Sequence, residues 1–154
     1  MVLQDAHIDY RSSVYSMITN TDDGDDGAEQ LRTPHIDSLV WELIRIVHVD
    51  DFVVNDLNSA LHQPLENKLS GGQKTRLLLA RALYRAYRCN SSILILDEPD
   101  KGLPAETTLS IVSNIVHWYR SRGILFLTLH TEETHTINFD QVLQIEHGTI
   151  TKMK

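Results

Sequence analysis

Cysteine is nearly missing from these 154 residues, with Cys89 standing alone. A single thiol excludes an internal disulfide framework and fits a reducing compartment. No apolar run approaches the roughly 20 residues that a membrane-spanning helix needs. The opening residues, MVLQDAHIDYRSS, have neither the basic start nor the apolar core of a signal peptide. Positive charge is scarce as well. Lys and Arg total 14 against 21 Asp and Glu, a formal net charge of −7. That balance argues against a general affinity for nucleic acid, and no nucleic-acid partner is expected. Together these absences predict a cytoplasmic protein that reaches a membrane only through a partner. The chain also lacks a G-x-x-x-x-G-K-[ST] loop, the usual backbone cradle for nucleotide phosphates. What remains is ordinary for a soluble domain: 42% hydrophobic and 23% charged residues, in a length that suits one modest core.

Hydrophobic spacing divides the chain into recognisable pieces. MVLQ reads as the end of a strand, and SVYSMI at 13–18 as a short helical turn or a packed loop. TDDGDDGAEQ at 21–30 is an acidic loop with the wrong spacing for calcium: counting from Asp22, the third position is Gly24 and the twelfth Thr33. Thr33 and Pro34 predict a helix start, followed by an apolar face of Ile36, Leu39, Val40, Leu43, Ile46 and Val47. Residues 50–67 read as loop-rich with short packed pieces. A helix after LSGGQ is expected to bury Leu77, Ala80, Tyr84 and Tyr87, with Lys74, Arg76, Arg81, Arg85 and Arg88 mostly elsewhere. SSILILDEPD predicts a strand buried on both faces. Pro104 then opens a helix carrying Leu109, Val112, Val116 and Tyr119, which Gly123 closes. ILFLTLH predicts a second buried strand, and QVLQIEHGTITKM a hairpin turning at His147-Gly148. Strand, helix, strand is a βαβ unit, so the expected class is α/β with a parallel sheet.

Three stretches carry chemistry. In LSGGQ, Gly71 and Gly72 let backbone approach a ligand closely, Ser70 adds a hydroxyl, and the helix start directs free amides and a positive dipole end at an anion. A plain helix cap explains the same residues without a ligand. In ILILDE, Asp97 stands at the carboxyl end of a strand, where ligands of open α/β sheets bind. It is suited to hold Mg²⁺, and Glu98 to orient or deprotonate an attacking water. The bland account is that apolar strands often end in acids. His130 ends the second strand on the same sheet edge, where an imidazole can hydrogen-bond a phosphate oxygen, though a surface histidine is the commoner case. HTEETH is not a zinc motif, because His130 and His135 are five apart and lie on different sides of a helix.

In this order, the three stretches resemble the C-terminal part of an ATP-binding-cassette (ABC) nucleotide-binding domain. LSGGQ resembles the ABC signature, ILILDEPD the Walker B strand with its catalytic glutamate, and LFLTLH the H-loop strand. VLQDAHIDYRSSVYSMI resembles the Q-loop stretch, with Gln4 as its glutamine. FDQVLQIEHGTITK resembles the closing hairpin. The resemblance covers nearly the whole chain. It implies catalytic roles for Glu98 and His130, nucleotide binding by Ser70, Gly71, Gly72 and Gln73, and metal contacts from Asp97 and Gln4. ATP and Mg²⁺ are the implied ligands, and hydrolysis of ATP the implied reaction. The implied partners are a second ABC domain, paired head to tail, and a transmembrane transporter subunit.

Because the phosphate loop is not in the sequence, the expected fold is the C-terminal part of a P-loop NTPase domain lacking Walker A. It would comprise a Q-loop region (1–18), a helical subdomain with the signature (19–90), and a parallel-sheet half core with a hairpin (91–154). On that reading the Walker A lobe comes from a missing segment or a partner chain, and this chain alone is inactive as an ATPase. Two departures from the family pattern stand out: Pro104 replaces the aspartate of the D-loop, and Pro99 stands where exporters carry alanine. Two alternatives belong to other classes. A non-enzymatic half-domain that pairs with a complete ABC domain is distinguished by measuring ATP turnover. A DNA-maintenance ATPase lobe should follow a heptad coiled coil, and residues 1–66 show no sustained heptad.

Overall fold

A computed structural model gives the fold and describes residues 12–20, 33–65, 69–129 and 136–152. The first half is a cluster of helices. α1 (Val14–Thr19) is short, and a reciprocal box starts it: the Ser13 hydroxyl accepts from the Ser16 amide, and the Ser16 hydroxyl from the Ser13 amide. α2 (Pro34–Ile46) begins as its sequence predicts, with Thr33 Oγ1 accepting from the Ile36 amide at 3.3 Å. Its buried face is Ile36, Leu39, Val40, Leu43 and Ile44. α3 (Asp50–Asn55) contributes buried Phe52 and Val53. α4 (Gly71–Arg88) buries a broader face than its spacing suggests: Leu77, Leu78, Leu79, Ala80, Leu83, Tyr84 and Ala86. Tyr87 stays half-buried. The breadth follows from position, because α4 packs against both α1 and α2.

The second half is the expected βαβ unit. β1 (Ile93–Asp97) and β2 (Ile124–Thr128) pair in parallel, in register from Ile93↔Ile124 to Asp97↔Thr128. Parallel strands need a crossover, and α5 (Ala105–Tyr119) supplies it. α5 is tied to the helical cluster by the Trp118 indole N–H, which donates to Glu42 Oε1 at 2.7 Å, and by Asn114, whose amide donates to the Ile46 carbonyl at 3.3 Å. β3 (Leu143–Glu146) and β4 (Thr149–Lys152) form a separate antiparallel hairpin. Its two turn residues, His147 and Gly148, have φ of 48° and 76°. Both values are positive, the geometry of the two-residue turns that match strand twist.

Three expectations need correction. β1 and β2 are not buried on both faces. Leu96 is buried and Leu94, Leu125 and Leu127 are partly covered, while Ile93, Ile95, Ile124 and Phe126 are 50–58% exposed. One side of the pair meets α5 and the core, and no described element covers the other. The buried stripe of α5 is Thr108, Ile111, Val112, Ile115, Trp118 and Tyr119, so Leu109 and Val116 lie at its margin. Gly123 does not close that helix. It lies at the entry to β2, where a Cβ would stand 2.3 Å from the Ser92 carbonyl oxygen. The expected strand at 1–4 and the acidic loop at 21–30 lie outside the described residues.

Candidate functional site

The carboxyl end of the β1–β2 pair gathers a small set of polar groups. Asp97 is the last residue of β1 and is exposed. Glu98 follows with φ of 47°, a left-handed backbone that residues other than Gly, Asn and Asp rarely adopt. The turn aims the Glu98 carboxylate back over its own loop, where Oε2 pairs with Lys101 Nζ at 3.2 Å. Both partners are partly exposed, so the pair adds little stability and reorganises easily. Thr128, the register partner of Asp97, stands between the two acids. Its hydroxyl donates to Asp97 Oδ1, and the Glu98 amide donates to it at 2.9 Å. The sequence reading passed over Thr128. The available signal was a hydroxyl at the end of an otherwise aliphatic and aromatic strand, which points to a partner at that end.

The start of α4 forms the second part. Ser70 caps the helix, with its Oγ accepting from the Gln73 amide at 3.2 Å and its own amide donating to Gln73 Oε1 at 2.7 Å. The amides of Gly71 and Gly72 lie in the first turn, where no intrahelical carbonyl can reach them. Packing does not require either glycine. A Cβ on Gly71 would meet nothing within 4 Å, and one on Gly72 only Leu103 Cδ2 at 3.9 Å. Neither residue has a positive φ. That same contact brings the loop after β1 beside the first turn of α4. Arg76 braces the turn from within, its Nε donating to the Gly72 carbonyl at 3.2 Å and a terminal guanidinium nitrogen to the His48 carbonyl. Partial burial lowers the Arg76 pKa from its ordinary value, against the opposing pull of Asp50. His48 Nε2 in turn meets Ser110 Oγ and Asn114 Nδ2 of α5, each at 3.1 Å. The start of α4 is therefore fastened to the helix that follows the acids.

Of the residues singled out in the sequence, Asp97 and Glu98 share one strand end, and Ser70, Gly71, Gly72 and Gln73 share one helix start. Gln4 and His130 lie outside the described residues.

Comparison with known proteins gives these elements a context. The family model described as "ABC transporter" matches residues 1–101. The chain is 40% identical over 85 residues to the ABC transporter ATP-binding protein/permease L733 of Acanthamoeba polyphaga mimivirus, covering 54% of this chain and 16% of that protein. It is 37% identical over 94 residues to the ABC transporter ATP-binding protein YtrE of Bacillus subtilis (strain 168), covering 60% and 38%. Among solved structures, a bacterial Atm1-family ABC exporter with ATP bound superposes with a TM-score of 0.57. That match spans 90% of this chain and 22% of the exporter at 23% identity, which shows likeness of fold. The chain thus spans less than half the length of each of these relatives.

The match corrects the expectation that the chain is only a C-terminal portion, with Walker A supplied by another segment or chain and no activity alone. That expectation rests on an absent pattern and on where the chain begins. The G-x-x-x-x-G-K-[ST] pattern is indeed not among the 154 residues. The family match, however, starts at residue 1 and treats the chain as an ABC domain. Where a chain begins says nothing about what precedes it. The half-domain description, the externally supplied lobe and the inactivity that followed from them do not hold, and the fold is that of an ABC ATPase core, helices plus parallel sheet. Domains of this kind bind ATP with Mg²⁺ and pair with a second such domain or a transmembrane subunit. With more than half of its residues matched by the family model, the chain belongs to the ABC transporter family and has its P-loop NTPase fold.

Proposed function

We propose that this chain works on ATP at two surfaces, the start of α4 and the carboxyl end of β1, as an ATPase of the transporter branch. The observation that carries the reading is the pair of glycines in α4. Glycine in a helix weakens it by up to about 1 kcal/mol relative to alanine. Here neither packing nor a positive φ requires it. A ligand that must come close to the backbone does, and the uncapped amides of the first turn suit phosphate oxygens. Ser70 and Gln73 hold that turn in shape through their mutual bonds.

The strand end fits Mg²⁺ by its donor chemistry. Asp97 offers a hard oxygen donor at that strand end. Mg²⁺ prefers this situation, binding through one or two carboxylates with phosphate oxygens and waters completing the shell. When bound, it would supply positive charge to offset the negative charge of the reacting phosphate. Glu98 then accepts the proton of the attacking water as the water oxygen bonds to the γ-phosphorus and the bond to ADP breaks. Leaving Lys101 costs Glu98 little, since that pair is partly exposed. Gln4 as a second metal contact and His130 as a γ-phosphate contact complete the set. The proposed assembly pairs this chain head to tail with another ABC domain beneath a transmembrane subunit, on the cytoplasmic side.

The test is Glu98→Gln in the full-length protein. ATP binding should persist and steady-state hydrolysis should fall about 100-fold or more, within the range for loss of a general base. Hydrolysis at the wild-type rate would remove Glu98 from the chemistry.

A further inference from the structure

The end of β2 holds a group that the proposed chemistry has not used. Thr128 lies opposite Asp97 in the parallel register. A hydroxyl carries one proton and two lone pairs. Here the proton is directed at Asp97 Oδ1, and a lone pair receives the Glu98 amide at 2.9 Å. One side chain thereby fixes the carboxylate of the first acid and the backbone of the second. Fixing both has a purpose at this point. An aspartate at the end of a strand is otherwise free to turn about its side-chain torsions. With Oδ1 engaged, the rotation is restrained and Oδ2 is left for a cation. Glu98 sits at φ 47°, a strained conformation for an L-residue that needs support from its surroundings. The bond from its amide supplies such support from the neighbouring strand. Valine has the same shape as threonine but can make neither bond.

We propose that Thr128 is a positioning residue, setting the Asp97 carboxylate for the divalent cation and the Glu98 backbone for the attacking water. The proposal rests on the reading of Asp97 and Glu98 given above, so its test must separate the two. Thr128→Val, Thr128→Ala, Thr128→Ser and Asp97→Asn are made in the full-length protein. Mn²⁺, as a spectroscopic substitute for Mg²⁺, is titrated in the presence of ATP and followed by electron paramagnetic resonance. Amide exchange at Glu98 is measured without nucleotide, and thermal melts check the fold.

Groups that orient a metal ligand typically contribute about 10–100-fold to affinity or activity. Thr128→Val and Thr128→Ala should each weaken Mn²⁺ by about that factor and speed exchange at Glu98, and Thr128→Ser should restore both. Asp97→Asn should weaken Mn²⁺ at least as much. If Asp97→Asn weakens the ion while both hydroxyl-free variants bind it as the wild type does, Thr128 has no positioning role and the site reading stands. If Thr128→Ser is as impaired as Thr128→Val, the hydroxyl is not the active element and the proposal also falls. If Asp97→Asn leaves Mn²⁺ binding unchanged, the site reading itself fails and takes the proposal with it. Should Thr128→Val not fold, Thr128→Ala against Thr128→Ser decides by the same criterion.

Discussion

Glycine means different things at three positions in this chain. At 71 and 72 it meets no steric demand from the fold, whereas at 123 it meets a severe one, with the Ser92 carbonyl where a Cβ would stand. Gly123→Ala should therefore push β2 away from the start of β1 and cost about 1–3 kcal/mol, readable as a lowered midpoint in urea unfolding. An unchanged midpoint would mean that the backbone there relaxes freely. Ser70 combines a cap with a proposed ligand contact. Removing the cap with Ser70→Ala should cost about 1 kcal/mol in the same measurement. The helix start at Ser70, Gly71 and Gly72 was legible because a serine before a periodic apolar run reads as a helix cap. Gly123 was not legible, since a glycine after a helix also reads as a helix stop. Only the approach of residue 92, distant in sequence, distinguishes the two. The partners of Thr128 were hidden for a similar reason, since they are 30 and 31 residues away.

Elements were legible where one face decides their placement. α2 has a polar side and an apolar side, so its cap and most of its stripe follow from spacing, though Ile44 was missed and Ile46 is only half-buried. β1 and β2 misled, because a continuous apolar run predicts two covered faces and cannot report that one is bare. The contact between α5 and the sheet has a titratable component. Tyr119 is buried, its hydroxyl donates to the Ser91 carbonyl at 2.6 Å, and burial raises its pKa above the ordinary tyrosine value. The folded state thus holds the proton more tightly than the unfolded chain. This stabilising contribution is complete below the ordinary tyrosine pKa of about 10 and is lost as pH rises through the folded value. Urea midpoints measured from pH 8 upward should decline above about pH 10, more gently in Tyr119→Phe. The same variant should lose about 1 kcal/mol at neutral pH for the missing hydrogen bond. An equal decline in both proteins would assign the alkaline sensitivity elsewhere, with Tyr84, whose pKa burial also raises, as the next group to change.

At the scale of the molecule, the described residues of the two sheets leave apolar side chains exposed. Ile93, Ile95, Ile124 and Phe126 share the bare side of the parallel pair, and Leu143, Ile145 and Ile150 are 48–70% exposed on the hairpin. Grouped apolar side chains of this kind favour self-association. Ile95 and Phe126 are register partners, so Ile95→Lys with Phe126→Glu would place opposite charges side by side. Sedimentation of the 154-residue chain should shift toward smaller species in the double variant, with the melt unchanged because exposed positions rarely move stability by more than about 0.5 kcal/mol. A markedly lower melting temperature would show that the face is covered after all.

The account as a whole depends on phosphate reaching the backbone at the start of α4, and Gly71→Asp in the full-length protein tests this most directly. The position is open, so the folded state accommodates the side chain, and a carboxylate at a helix N-terminus is itself favourable. The negative charge, however, occupies the place proposed for phosphate. The expected result is a melting temperature equal to or above that of the wild type, together with loss of ATP hydrolysis. Normal hydrolysis by the folded variant would contradict the account.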